Sequence, residues 1–326
     1  MPSSSYWLDH PHTLVERIIH NVEKVILGKR VVIEKAVIAL LCGGHLLLED
    51  VPGVGKTLLV RALARTVGCG FKRIQCTPDL LPGDVTGVSV YNQRTGDFEF
   101  RPGPILNPIV LADELNRTSP KTQAALLEAM AEGRVTVDGV SYELPKPFML
   151  LATQNPIDFE GTYSLPEAQL DRFLMRLTLG YPDQQQELLM LERLAMERTA
   201  LEQLKPVVVQ EELLMLQKEA QSIHVDESLK RYIVAIVSAT RTHRDISLGA
   251  SPRASAALMR AAQAKAFLQG RTYAIPDDVK ELAEPVLAHR LLLTAEARLA
   301  GRTAMSVLRA VMQAEPIPAA SVPSAG

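Results

Sequence analysis

Two kinds of hydrophobic pattern divide this chain. Over the first 180 residues, short apolar runs alternate with segments whose apolar positions recur every three or four residues, as in a mostly parallel sheet with helical crossovers. Runs at 45–49, 71–75, 109–112, 148–153 and 173–179 predict five strands. Leu59, Leu63 and Val67 share one face of a helix that begins at Lys56. A later helix carries its own punctuation, with Ser119 as cap, Pro120 in the first turn and Gly133 after the last apolar residues. Alternation from Val135 to Tyr142 around Asp138-Gly139 predicts a hairpin, and a second is expected over 87–100 with its turn at 92–97. From 184 to 312 nearly everything fits amphipathic helices, one running from Ser251-Pro252 to about Gly270 and another opening at Pro276-Asp277-Asp278. The organisation read from these patterns is an α/β core over 1–183 with inserts near 87–100 and 134–144. A smaller helical domain over 184–312 follows, then a Pro/Ala/Ser-rich tail over 313–326 that is expected to be disordered.

The stretch Glu49-Asp50-Val51-Pro52-Gly53-Val54-Gly55-Lys56-Thr57 joins the first strand to the first of these helices and reads as a phosphate-binding loop. Gly53 and Gly55 let the backbone turn tightly and bring its N–H groups to phosphate oxygens. Lys56 adds a point charge for the terminal phosphates, and Thr57 offers a hydroxyl to a phosphate-bound Mg²⁺. A helix that begins at Lys56 aims its dipole and free N–H groups at the anion. Asp50 stands where the usual Gly-x4-Gly-Lys-Ser/Thr pattern has its first glycine. Aspartate tolerates turn conformations, but its carboxylate must turn away from the phosphates. Exchange for glycine is therefore expected to keep or improve nucleotide affinity.

Ile109-Val110-Leu111-Ala112 is a buried run that ends in Asp113-Glu114. Ligands of open α/β sheets bind beyond the carboxyl ends of the strands, where both acids fall. There Asp113 would hold Mg²⁺ and Glu114 would polarise the water that attacks the γ-phosphate; by themselves they read equally as two solvated acids. Gln154-Asn155-Pro156 follows the fourth strand. The Asn155 amide either contacts the γ-phosphate or its water, or Asn-Pro simply begins a turn. Arg172, between a short helix and the fifth strand, either serves a neighbouring subunit's nucleotide or pairs with Asp171 or Glu167. Arg253 lies in the first turn of its helix, where a cation opposes the dipole. Either a phosphate or a nearby acid must favour it there.

Composition removes several alternatives. At 326 residues the chain exceeds what one core usually supports. A net charge of −2 gives no electrostatic footprint for nucleic acid or an anionic membrane, and no basic cluster interleaves with aromatics. Cys42, Cys69 and Cys76 form no Cys-x-x-Cys pair and read as packed, reduced thiols. His10 and His12 are weak metal candidates. The apolar stretch 31–48 is broken by Glu34, Lys35 and Gly43-Gly44, so it predicts no membrane span. The Ser-rich start lacks a basic segment and an apolar core, so no signal peptide is read and a cytoplasmic location is expected.

Taken together, 49–57, Thr77-Pro78-Asp79-Leu80-Leu81-Pro82, 111–117 with Pro120-Lys121-Thr122-Gln123, 152–156 and 161–173 resemble the MoxR family of AAA+ ATPases, in order and over almost the whole chain. The resemblance implies an AAA+ P-loop NTPase core with a parallel five-stranded sheet, followed by a smaller all-α lid domain. It implies ATP and Mg²⁺ as cofactors, with Pro52, Gly53, Val54, Gly55, Lys56, Thr57 and Leu58 around the phosphates and Asp113 and Glu114 as the Walker B pair. Asn155 then matches sensor 1, Arg172 an arginine finger acting in trans and Arg253 sensor 2. Val25-Ile26-Leu27-Gly28 looks like the adenine-contacting stretch, through Ile26 and Gly28. The two hairpins look like the inserts of the clade that also holds magnesium chelatase subunits and replicative helicases. The implied protein is a ring-forming, chaperone-like ATPase, hexameric by family habit, that remodels a protein client in enzyme maturation or metal insertion. No von Willebrand factor A segment follows the helical region, so such a partner is expected as a separate chain. A nucleic-acid translocase or a magnesium-chelatase-like motor subunit is the alternative. A nucleotide-gated scaffold fits less well, given Glu114, Asn155 and Arg172. Neither hairpin carries an aromatic-aliphatic-glycine threading loop.

Overall fold

The computed structural model describes residues 11–155, 161–194 and 200–318. The chain opens with α1 (Pro11–Glu23), α2 (Arg30–Leu41), β1 (Leu46–Glu49), α3 (Lys56–Thr66), β2 (Phe71–Gln75) and α4 (Pro82–Thr86). A hairpin of β3 (Gly87–Asn92) and β4 (Asp97–Pro102) precedes β5 (Ile109–Asp113) and α5 (Pro120–Glu132). A second hairpin, β6 (Arg134–Val137) and β7 (Val140–Glu143), leads into β8 (Met149–Gln154), α6 (Glu167–Leu170) and β9 (Met175–Leu177). The helices α7 (Gln184–Leu194), α8 (Ala200–Gln203), α9 (Gln210–Ser222) and α10 (Glu227–Thr242) come next. After β10 (Ile246–Leu248) run α11 (Pro252–Leu268), α12 (Pro276–Leu287), β11 (Leu292–Leu293), α13 (Ala295–Leu299) and α14 (Ala304–Ala314).

Five strands form one parallel sheet in the order β2-β5-β8-β1-β9. Strand side chains alternate between faces, and here each face meets a different apolar layer. Leu46, Leu48, Ile109, Leu111, Met149 and Leu151 pack with α1, α2 and α3, while Leu47, Val110, Ala112, Leu150 and Ala152 pack with α5 on the other side. Burial on both faces explains why these strands read as continuous apolar runs. Two strands are shorter than the sequence predicts. β1 starts at Leu46 because His45 is used otherwise: its Nδ1 accepts from Leu150 N and its Nε2 lies 3.3 Å from Met130 O. β9 covers only Met175–Leu177, and the carbonyls of Phe173 and Leu174 bond to Arg290 of the helical domain instead.

Both hairpins form. Asp138 and Gly139 adopt φ of 51° and 81°, the paired positive values that a two-residue hairpin turn needs. The first hairpin extends to Pro102, and its Phe100 stacks on Tyr142 of the second with ring centroids 3.8 Å apart. The helical domain adds a small antiparallel ribbon, β10–β11, to the helices read from the sequence; runs this short lie below what periodicity resolves. Apolar residues of α10, α11 and α12 continue the cluster built by α1 and α2. Lys265 of α11, nearly buried, bonds Glu281 at 2.8 Å and lies 3.8 Å from Glu34 of α2. Among the described residues no helix is long and apolar enough to cross a membrane, and the three cysteines are free thiols.

The buried Asp50 fixes how the loop leaves β1. Its Oδ1 accepts from Val51 N at 2.9 Å and its Oδ2 from Gly180 N at 2.7 Å, so the carboxylate is turned away from the loop's concave side. The Gly180 contact ties the loop to the chain leaving β9, which Lys29 also holds through Tyr181 O at 2.8 Å. Hydrogen bonds to carboxylates contribute about 1.5–3 kcal/mol, so Asp50→Gly is expected to lower thermal stability by roughly that amount. A melting temperature equal to that of the parent protein would contradict this role.

Candidate active site

The loop between β1 and α3 lies at the carboxyl end of the sheet. Gly53 and Gly55 adopt φ of 86° and 97°, a region costly for any residue with a Cβ. No heavy atom lies within 4 Å of where a Cβ would stand at either position, so their backbone meets the cleft unobstructed. Gly55 has no side chain to cap α3, which leaves the first N–H groups of that helix for an anion. Lys56 Nζ donates to the loop's own carbonyls, Asp50 O at 2.5 Å and Val51 O at 3.0 Å. Burial draws the Lys56 ammonium below the ordinary lysine value, while Asp50, Asp113 and Glu114 pull it back up.

β5 brings the two acids to the same end. Asp113 follows the alternation of Ile109 and Leu111 and faces the α3 side. Thr153, buried on β8, donates to Asp113 Oδ1 at 2.6 Å and accepts from Glu114 N at 2.7 Å. One hydroxyl thus registers both acids against the neighbouring strand. Arg73 on β2 reaches the other Asp113 oxygen, with Nε and Nη2 at 2.8 and 2.6 Å from Oδ2. Glu114 sits in the left-handed region at φ 57°, ψ 49°, a sparsely populated conformation for a residue of its size. Its Oε2 accepts from Gln75 at 3.2 Å and from Arg117 at 3.1 Å.

These residues line a cleft of about 380 Å³, bounded by Pro52, Gly53, Gly55, Lys56, Thr57, Leu58, Arg73, Asp113, Glu114, Thr153, Gln154 and Asn155. The structure therefore brings together the loop, both acids and Asn155; Pro156 lies outside the described residues. The donor set fits a nucleotide and its metal, for Mg²⁺ at phosphates needs one or two carboxylates and the phosphate oxygens rather than a protein cage. Val54 is half-buried against the core, and its neighbours Gly53 and Gly55 line the cleft. Ile26 is buried, and Gly28 lies beside Gln186 of α7, whose side chain occupies the space any Cβ at 28 would need. Neither lines the cleft.

Arg172 and Arg253 are placed elsewhere. β9 begins beside Leu46, and Leu174 N bonds to His45 O, so Arg172 precedes the amino end of the sheet while the cleft lies beyond its carboxyl end. At roughly 3.3 Å per residue, β1 alone separates these ends by about 10 Å. Arg172 Nη1 donates to Leu127 O at 2.5 Å. Arg253 lies 3.8 Å from Asp171, the acid that offsets its unfavourable place at the start of α11. Sequence reading missed Arg73, Gln75 and Thr153 as participants. The signal for the first two was a polar alternation, Arg73 and Gln75, on a strand that pairs with the acid-bearing one.

The family described as ATPase family associated with various cellular activities (AAA) matches residues 45–175, and the AAA lid domain matches 238–311. The chain is 54% identical to Uncharacterized protein YeaC of Bacillus subtilis (strain 168), over 94% of this chain and 96% of that one. It is 42% identical to Chaperone MoxR1 of Mycobacterium tuberculosis, over 94% and 83% respectively. A crystal structure from Cytophaga hutchinsonii, of a chain provisionally described as an ATPase, superposes with a TM-score of 0.89 at 40% identity, covering 94% of this chain and 96% of that one. Sequence, fold and the arrangement at the cleft agree, and the chain belongs to the MoxR family of AAA+ ATPases.

Proposed function

We propose that the protein hydrolyses Mg²⁺-bound ATP at sites each completed by two subunits of a ring, and uses the turnover to remodel a protein client. The observation that carries this reading is the separation within one chain. The loop and the acids stand at one end of the sheet, and Arg172 with Arg253 at the other, a separation that supports reading both as serving a neighbour's cleft. In a head-to-tail ring the two ends meet. Six subunits, a separate von Willebrand factor A protein, and a client enzyme matured or loaded with metal in the cytoplasm complete the proposal. These finer points rest on the family resemblance and, for client handling, on the name Chaperone MoxR1 of a relative.

Within the cleft each side chain has a role its position supports. The amides at Gly53–Thr57 and the start of α3 cradle phosphates, and Lys56 exchanges its loop carbonyls for phosphate oxygens. Asp113 and Thr57 would hold Mg²⁺, which when bound neutralises charge on the transferring phosphoryl group. Glu114 orients and polarises the attacking water from the mouth of the cleft, once released from Gln75 and Arg117. Asn155 supplies an amide to that water or the γ-phosphate. Arg172 and Arg253 of the neighbouring subunit bring positive charge to the phosphoryl oxygens, where negative charge must be stabilised.

Two variants test these roles. Glu114→Gln is expected to bind ATP as the parent does and hardly turn it over, as read by nucleotide titration and phosphate release; parental turnover would remove Glu114 from its role. Arg172→Ala is expected to cut turnover roughly 10³-fold or more with ATP affinity nearly intact, and normal hydrolysis by that variant would refute the trans assignment.

A further inference from the structure

The segment that carries Arg172 takes most of its bonds to the helical domain from one guanidinium. Arg290, in the turn after α12, is almost fully buried. It donates to Asp171 Oδ1 at 2.8 Å, Asp171 O at 3.1 Å, Phe173 O at 2.7 Å and Leu174 O at 3.2 Å, and also to Val286 O. Three of these acceptors are backbone carbonyls on either side of Arg172. His289 adds a contact of 3.2 Å from Nε2 to Phe173 O, and burial keeps this imidazole well below the ordinary histidine value and hence neutral. The second Asp171 oxygen accepts from Ser251 Oγ at 2.9 Å and faces Arg253. Asp171 therefore joins Arg253, and the backbone next to Arg172, to one buried anchor.

A buried guanidinium is costly. Desolvation lowers its pKa, and Asp171 offsets the shift; a packed apolar side chain would fill such a site at less expense. What an apolar residue cannot do is fix three carbonyls in one geometry through a planar array of donors. We propose that Arg290 is a positioning residue: from the helical domain it sets the conformation of residues 171–174, and hydrolysis in the neighbouring subunit's cleft depends on it. The proposal rests on the reading of Arg172 as a trans arginine. It makes the seating of α12 on β9 a quantity that the next active site senses.

Arg290→Lys keeps the charge without the fork, and Asp171→Asn removes the ion pair at constant shape. Misplacement of a reacting group by an ångström costs about 100-fold. Each variant, folded and assembled by melting and sizing, is expected to bind ATP with parental affinity and to lose roughly 10- to 100-fold in turnover. In an Arg172→Ala background Arg290→Lys is expected to cost much less, because residues acting as one unit are not additive. Asp171→Asn also releases Arg253, and is expected to keep the part of its loss that runs through Arg253. Parental turnover in both variants, or the same fold-loss from Arg290→Lys with and without Arg172, would overturn the proposal and leave Arg290 a packing residue. If instead Arg172→Ala alone hydrolyses ATP normally, the trans reading beneath it falls first, so the two failures are distinguishable.

Discussion

All five strands of the central sheet run the same way, and the site is arranged by that polarity. Carboxyl ends collect the phosphate loop, the two acids and Asn155; amino ends collect His45, the segment 171–174 and the contacts to the helical domain. On the proposed reading, the charge of Arg172 then reaches a γ-phosphate only in another chain's cleft. Packing of the helical domain reinforces the constraint, for α11 and α12 share a core with α1 and α2 and hold Arg253 against Asp171.

Inside the cleft, each charged group already has a protein partner. Asp113 is shared by Arg73 and Thr153, Glu114 by Gln75 and Arg117, and Lys56 by two carbonyls. Paired charges are less costly to bury than bare ones, so these contacts preserve the cleft's shape before phosphate enters. On the proposed reading, nucleotide binding exchanges these partners for phosphate and metal. Glu114 stands in a left-handed conformation with its own N–H donating to Thr153, so its backbone is fixed independently of the contacts of its carboxylate.

Much of this was legible along the chain where the chemistry is contiguous. Phosphate loop, acid pair, helix caps and the Asp138-Gly139 turn all depend on residues a few positions apart, and the local conformations they require are the ones observed. What could not be read depends on neighbours in space. Asp50 was expected only to turn away from phosphate; its partner Gly180 is 130 residues distant. Arg73 and Gln75 act across a strand pair, and the polar alternation in their own segment does not say which strand they face. Arg290 reaches Asp171 over 119 residues, and by taking the Phe173 and Leu174 carbonyls it shortens β9 below its apolar run. Arg253 was left between phosphate and acid by sequence alone, and the free chain places it on the acid.

The central claim is that two subunits build each site, and mixing two inactive proteins tests it most directly. Glu114→Gln subunits lack a working cleft but keep their arginines; Arg172→Ala subunits keep the cleft and lack the finger. Wherever the cleft of the second meets the amino-end face of the first, a complete site forms. The mixture is expected to regain a substantial part of parental ATP turnover, rising and falling with the ratio of the two proteins. If exchange between subunits is verified and turnover stays at the level of the separate variants, each cleft is not completed by its neighbour and the account is contradicted.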